Sequence, residues 1–196
     1  MEEHNEITLQ EIFSILWGKV LLIILCTILG GGVAFGITAF VIDPEYTAKV
    51  TMYVNNSEGK QDAYMNINDI NASQKLVSTY VEILKSDTVL NKVIEEGGLE
   101  YSTGDIREMM SASSVNGTEI FEVKIISKDA KESALIANTI AEVGPEEIIR
   151  VVKAGSVELI DPAKVPTAPS SPNVILNTII GIMLGGVLSV LGVLIY

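Results

Sequence analysis

Two long apolar runs bracket this chain, and between them polar and apolar residues alternate at strand or helix spacing. Val20 to Ile42 holds 23 residues without a charge, and Val174 to Ile195 holds 22. At ~1.5 Å per helical residue, each run reaches across a ~30 Å hydrocarbon core. The pattern predicts a hairpin of two membrane spans. Both chain ends then lie on one side of the bilayer and the 131 residues from Asp43 to Asn173 on the other. The expected divisions are 1–19 as a tail with an interfacial helix, 20–42 as the first span, 43–164 as a polar domain, 165–173 as a linker and 174–196 as the second span. A soluble metabolic enzyme has no use for this layout, and two helices alone make a poor channel.

Before the first span, Thr8-Leu9-Gln10-Glu11 has capping-box form. Ile12, Phe13, Ile15, Leu16 and Trp17 follow. This reads either as a helix lying at the membrane surface, with Trp17 at headgroup level, or as a plain extension of the span. After Pro44 the period changes to two. Tyr46, Ala48, Val50, Met52 and Val54 alternate with Thr47, Lys49, Thr51 and Tyr53, which predicts a half-buried strand. Asn55 to Asn68 is polar and reads as a loop.

A helix is expected from about Asp69, with Leu76, Val77, Tyr80, Val81 and Leu84 on one face. Ser86 or Asp87 caps the next helix, which Gly97-Gly98 ends. Thr103 to Met110 predicts a third. Ser113 to Ser127 reads as strand with Asn116-Gly117 as a turn or bulge inside it. Asp129-x-x-Glu132 is a second capping box, opening a helix that Gly144-Pro145 is expected to kink or break. Val157, Leu159 and Ile160 make a last strand. Strands separated by helices predict an α+β fold, a small sheet with helices packed on one face.

Charge and cysteine narrow the function classes. The middle segment carries twelve Lys and Arg against twenty-one Asp and Glu. Such an acidic domain repels phosphates, so nucleic acid is not expected as a partner. The single cysteine, Cys26, lies inside the first span, and the single histidine, His4, lies in the tail. Neither a disulfide within the chain nor a Cys/His metal cluster can form, and no metal or other cofactor is expected. The first run is too long for a signal-peptide core and lacks a basic leader. Lys19 before it, with Asp43 and Glu45 after it, favours a cytoplasmic N-terminus, a plasma-membrane protein and an extracellular middle domain.

The linker Val-Pro-Thr-Ala-Pro-Ser-Ser-Pro-Asn is stiffened by three prolines. Each span carries small residues one turn apart, Gly32 with Gly36 and Gly181 with Gly185. Such pairs let helix backbones approach in lipid, although they also occur in spans without a packing role.

Pro166-x-x-Pro169, then Ser171-Pro172-Asn173, then Val174 to Leu184, then Gly185-Gly186, resembles the motif of the polysaccharide co-polymerase family, also called Wzz or chain-length determinant proteins. Glu6-Ile7-Thr8-Leu9, Tyr46-Thr47-Ala48, Leu84-Lys85-Ser86-Asp87 and Ile160-Asp161-Pro162-Ala163 are similar to the family as well. The Pro169-to-Ser171 spacing is tighter than the family's commonest form. The short middle domain, with no kinase domain behind the second span, resembles the Gram-positive CapA/CpsC-like transmembrane adaptors. The resemblance implies an α/β membrane-proximal domain and homo-oligomeric rings, often octameric. It implies a separate cytoplasmic tyrosine autokinase, the polysaccharide polymerase with its growing polymer, and membrane lipid as partners. It gives the docking of the kinase to a tail beyond the second span. This chain stops at Tyr196 and reads as a truncated form, so the 196-residue form is expected to reach the membrane without stimulating the kinase.

The leading expectation is thus a non-enzymatic organiser of capsule or exopolysaccharide assembly that regulates polymer length. The alternative is an ectodomain hydrolase or transferase acting on lipid-pyrophosphate-linked glycan. Asp87, Asp105 and Glu108 would then supply carboxylates for a metal, and Arg107 and Arg150 would hold phosphate. Asp87 is better explained as a helix cap, and Arg107 and Arg150 as surface charges. A third expectation, a sensor domain coupled to a kinase, differs in having a small ligand rather than a polymer.

Overall fold

A computed structural model describes residues 9–55, 77–153 and 156–195. The first capping box, the loop from Asn55 to Asn68 and the start of the helix expected from Asp69 lie wholly or partly outside the described residues. The chain divides into two compact units. One is Pro44–Ser170, and the other comprises the segments flanking it.

The flanking unit holds α1 (Leu9–Gly18), α2 (Val20–Phe40) and α7 (Val174–Ile195). α2 and α7 are long and apolar enough to cross a membrane, with mean hydropathies of 2.6 and 2.5. They pack antiparallel: Thr38 meets Asn177 near one end, and Thr27 faces Gly186 farther along.

The second unit holds β1 (Tyr46–Asn55), α3 (77–84), α4 (Asp87–Gly97), α5 (Thr103–Met109), β2 (Met110–Ser114), β3 (Ile120–Ser127), α6 (Ala130–Val152) and β4 (Ser156–Asp161). Its four strands form one antiparallel sheet in the order β2-β3-β1-β4. The fold class is the α+β arrangement that the period changes predict. Alternation puts Ala48, Val50, Met52 and Val54 of β1 beside Phe121, Val123 and Ile125 of β3, all buried beneath the helices. The opposite face of β1 and β3 carries Lys49, Thr51, Glu122 and Lys124, with Lys49 Nζ 2.8 Å from Glu122 Oε1. α6 lies against β1, β3 and β4, and α5 against β2 and β3.

Local chemistry sets the element ends. Ser86 is the N-cap of α4, its Oγ accepting from the Val89 N–H, and Gly98 closes the helix at φ 58°. Ser102 and Asp105 make a reciprocal capping box on α5. Asp129 accepts from the N–H groups of Lys131 and Glu132 at the start of α6.

Four expectations are corrected. The segment from Ser113 to Ser127 is not one strand but parts of two, β2 and β3, joined by a hairpin. Asn116 and Gly117 both have positive φ, and the Thr118 N–H donates to the Val115 carbonyl, so the turn is of the primed type that matches strand twist. β2 also starts at Met110, which the sequence placed in the preceding helix. α6 runs through Gly144-Pro145 for 23 residues without a break. The proline forfeits one helical hydrogen bond, but the surrounding helix is anchored on both sides by Ile140, Ala141, Val143 and Ile148, all buried. In the Asp129 box, Glu132 is engaged instead by Tyr101 Oη at 2.7 Å and Ser127 Oγ at 3.1 Å.

Candidate functional site

The five residues that would serve a hydrolase fall into separate structural roles. Asp87 opens α4, and its Oδ1 lies 2.6 Å from Arg107 Nη2 of α5. The guanidinium, with a hydrogen bond from Thr103, holds its carboxyl below the ordinary range. Arg107 also donates through Nε to the Lys85 carbonyl. This exposed pair ties α5 to the start of α4. Asp105 is drawn below its usual range by the Ser102 hydroxyl and N–H and belongs to the capping box. Glu108 is exposed, one position before the end of α5. Arg150 is on α6 and chelates Glu147, with Nε at 2.9 Å and Nη2 at 2.6 Å. Among the described residues, no group of three or more His, Cys, Asp or Glu side chains is arranged to hold a metal ion.

Among the described residues, Glu147 is the one buried carboxylate of the domain core, 2% exposed. Lys92 of α4 reaches it at 2.5 Å from one side and Arg150 from the other. Arg150 first, and Lys92 second, push its carboxyl below the ordinary range. The sequence shows Glu147 only as one of two adjacent glutamates. Its burial on the core side of α6, with Lys92 and Arg150 as the ions that satisfy it, comes from the packing of α4 on α6.

Around the proline-rich segment, the domain's last residue closes onto its first strand. The Ser170 N–H donates to the Glu45 carbonyl at 2.8 Å, the Ser170 hydroxyl is 3.1 Å from the same oxygen, and Thr47 Oγ1 lies 2.7 Å from Ser170 Oγ. Asn138 of α6 brackets Ala163 with two hydrogen bonds, 3.0 Å to its carbonyl and 2.9 Å from its N–H. Pro166 and Pro169 thus lie in a strap tied to the domain at 163 and 170. Sequence reading missed Ser170, although it stands in the middle of the quoted motif. In the other unit, Asn173 caps α7, its Oδ1 accepting from the Leu176 N–H at 3.0 Å. It follows Ser171 and Pro172, whose peptide bond is cis.

The helix hairpin uses a different register from the expected one. A Cβ on Gly30 would stand 2.7 Å from the Gly181 carbonyl oxygen and 3.0 Å from Gly185 Cα. One on Gly185 would stand 2.9 Å from the Cys26 carbonyl oxygen. One on Gly181 would collide with the Ala34 methyl. Gly186 is in ordinary contact with Thr27. The close pair on α2 is therefore Gly30 and Ala34, whereas Gly32 and Gly36 have open space where their side chains would be. Gly32 instead lines an apolar groove of about 350 Å³ beside the contact. The run Gly30-Gly31-Gly32 offers several small-residue registers. Only the position of α7 selects among them.

The comparisons with known proteins bear on this architecture as a whole. Residues 5–96 match the family model Wzz, "Chain length determinant protein", and residues 118–196 match GNVR, "G-rich domain on putative tyrosine kinase". The capsular polysaccharide biosynthesis protein CpsC of Streptococcus pneumoniae is 32% identical over 187 residues, covering 94% of this chain and 81% of that protein. The probable capsular polysaccharide biosynthesis protein YwqC of Bacillus subtilis is 29% identical over 91% of this chain and 72% of its own length. The corresponding figures for CapA of Staphylococcus aureus are 29%, 81% and 71%. A solved full-length bacterial polysaccharide co-polymerase superposes with a TM-score of 0.54 at 10% identity, covering 97% of this chain and 96% of that one, which is a likeness of fold.

Proposed function

Since the chain belongs to the chain length determinant family of capsular polysaccharide biosynthesis proteins, we propose that it is a non-enzymatic membrane organiser that regulates polymer length and that, through a tail beyond the second membrane helix, this kind of protein activates a separate cytoplasmic tyrosine autokinase. The similarity to CpsC along nearly the whole chain carries this reading, because it spans both apolar helices and the domain between them. The description of the second family model supports the link to a tyrosine kinase. In this reading the domain lies outside the cell and both helices cross the membrane. Several copies assemble into a ring that meets the polymerase and the growing polymer. A ring of identical subunits requires a contact between two different patches of the chain, repeated until it closes.

The test is complementation. In a capsule-forming host lacking its own family member, the full chain is expected to restore long polymer on a gel, with kinase phosphotyrosine as a second, separate readout. Unchanged polymer length at matched membrane levels would overturn the length-regulating role. Phosphotyrosine is expected to rise only when residues 1–196 are extended by a relative's C-terminal tail. No rise with that tail would overturn the kinase role, and an equal rise without it would overturn the role of the tail. Topology is read in a Cys26→Ala background. A cysteine at the exposed Thr118 is expected to react with an impermeant thiol reagent on intact cells, and one at Ser14 is not. Only monomer by native mass measurement in nanodiscs would count against the ring.

A further inference from the structure

α1 presents an aromatic surface that the described residues of its unit leave uncovered. Phe13 and Trp17, one helical turn apart, stack with ring centroids 5.7 Å apart and are 66% and 70% exposed. At 100° per residue, Phe13, Leu16 and Trp17 share one face, while Gln10, Ser14 and Gly18 share a neighbouring one. The helix stops before α2 begins. Lys19, between them, has φ −116° and ψ 15°, and its N–H turns back to the Leu16 carbonyl at 3.2 Å. α1 and α2 are therefore two helices joined at Gly18-Lys19, a place where glycine weakens helical continuity.

Length decides what can cover this face. The 21 residues of α2 span about 32 Å and already fill a hydrocarbon core of about 30 Å. Adding the ten residues of α1 gives about 47 Å, which would fit only at a tilt of about 50°, outside the usual range. α1 cannot lie in hydrocarbon as a continuation of the span. Its aromatic face, with Trp17 three positions before the membrane helix begins at Val20, is left at the level of the headgroups, where amphipathic rings partition.

We propose that α1 is an interfacial anchor that docks onto the bilayer surface, with Phe13 and Trp17 inserted at the boundary of headgroups and acyl chains. This rests on the reading of α2 and α7 as membrane spans. Aromatic burial, rather than charge, drives the docking, since the face formed by Phe13, Leu16 and Trp17 carries no basic residue. The anchor would fix the depth at which α2 enters the membrane.

Trp17 is the only tryptophan, so its fluorescence reports this contact without any substitution. The full chain is reconstituted into phosphatidylcholine vesicles whose lipids carry bromine at different acyl depths. Quenching is expected to be about twofold stronger with bromine near the carbonyls than near the bilayer centre, in keeping with an insertion of about 5–10 Å. It is expected to be little changed in vesicles containing phosphatidylglycerol. Phe13→Gln is expected to raise quenching by aqueous iodide.

Strongest quenching at the bilayer centre would overturn the proposal by placing α1 inside the membrane. Quenching by iodide alone would overturn it by leaving the face in water. Shielding from both iodide and brominated lipid would overturn it by showing that protein, such as a second copy, covers the face. Failure of the chain to float with the vesicles would instead remove the spanning reading beneath it.

Discussion

Tyr80, Phe121, Met52 and Leu84 fill the interior of the domain with large side chains, each 1% exposed or less. Between α2 and α7, by contrast, contact is made where side chains are missing, at Gly30, Gly181 and Gly185, and the large residues Leu21, Phe40 and Ile175 point outward. With α2 and α7 read as membrane spans, the difference follows from the solvent. Water drives apolar side chains of the domain together, at roughly 1.5–3 kcal/mol for each large one fully buried. Lipid gives no such drive between two helices, because its tails are as apolar as leucine. What remains there is close backbone approach, which only small residues permit. Gly144 shows the two modes meeting in the domain: its missing side chain makes room for Leu84, whose Cδ2 would lie 2.5 Å from an added Cβ.

The comparison breaks most sharply under opposite substitutions. Phe121→Ala empties a fully buried site and is expected to destabilise the domain by about 4 kcal/mol, read by urea denaturation of the full chain in mild detergent. A loss below about 1 kcal/mol would mean the site collapses freely, contrary to a packed core. In the hairpin the damaging change is enlargement. Gly30→Leu forces backbone apart at the Gly181 carbonyl and is expected to cost up to about 3 kcal/mol. Gly32→Leu, two residues on, where an added side chain meets open space, is expected to cost little. Disulfide yield between cysteines replacing Thr38 and Asn177, whose polar atoms are 3.4 Å apart, measures both in a Cys26→Ala background. Equal yields for the two leucine variants would return the packing role to the Gly32 register.

These contrasts also set what could be read from the chain. Alternation from Tyr46 to Val54 is enough to orient β1, because one face had to be buried and the other not. The helix ends at Ser86, Gly98 and Asp129 were legible because each is fixed by a local hydrogen bond or a positive φ, whereas the Ser102 cap of α5 was not singled out. Pairing between distant elements was not legible. Asn116-Gly117 marked a turn, but whether it bent one strand or joined two depended on β2 finding β3. The glycine register of α2 depended on α7. Glu147 as a buried ion depended on Lys92, 55 positions away. The candidate carboxylates and arginines were visible as residue types, while their geometry assigned Asp87, Asp105, Arg107 and Arg150 to caps and ion pairs.

Glu147→Gln tests the polar exception inside the apolar core. Lys92 and Arg150 are half-exposed and can turn to water, so the expected loss is about 2 kcal/mol, below that of stranding a buried charge. The acid response carries a definite sign. Because the folded carboxyl titrates below its ordinary value, its contribution is present above that value and is lost as pH falls through the folded one. Stability of the natural chain is therefore expected to drop more between pH 6 and pH 3 than that of the Gln variant, in paired denaturation curves (the pH values are chosen to bracket about 4.3). Identical acid slopes would show that Glu147 is not a source of the linkage.

The smallest effect is expected where the domain ends at Ser170. Its contacts with Glu45 and Thr47 are short, but they are exposed, so water competes for every partner. Ser170→Ala removes the hydroxyl contacts at 3.1 Å and 2.7 Å, while the backbone bond to Glu45 at 2.8 Å remains available. A net loss below about 1 kcal/mol follows from the ordinary worth of a solvent-accessible hydrogen bond. Thr47→Val should cost a similar amount. Because both changes delete the same hydroxyl pair, the double variant should lose less than the sum of the two. A full sum would mean that the two hydroxyls act independently, and the strap would then be held by Asn138 and the backbone alone. A loss as large as that of Phe121→Ala would instead place the strap among the interactions on which folding of the domain depends, despite its exposure to water.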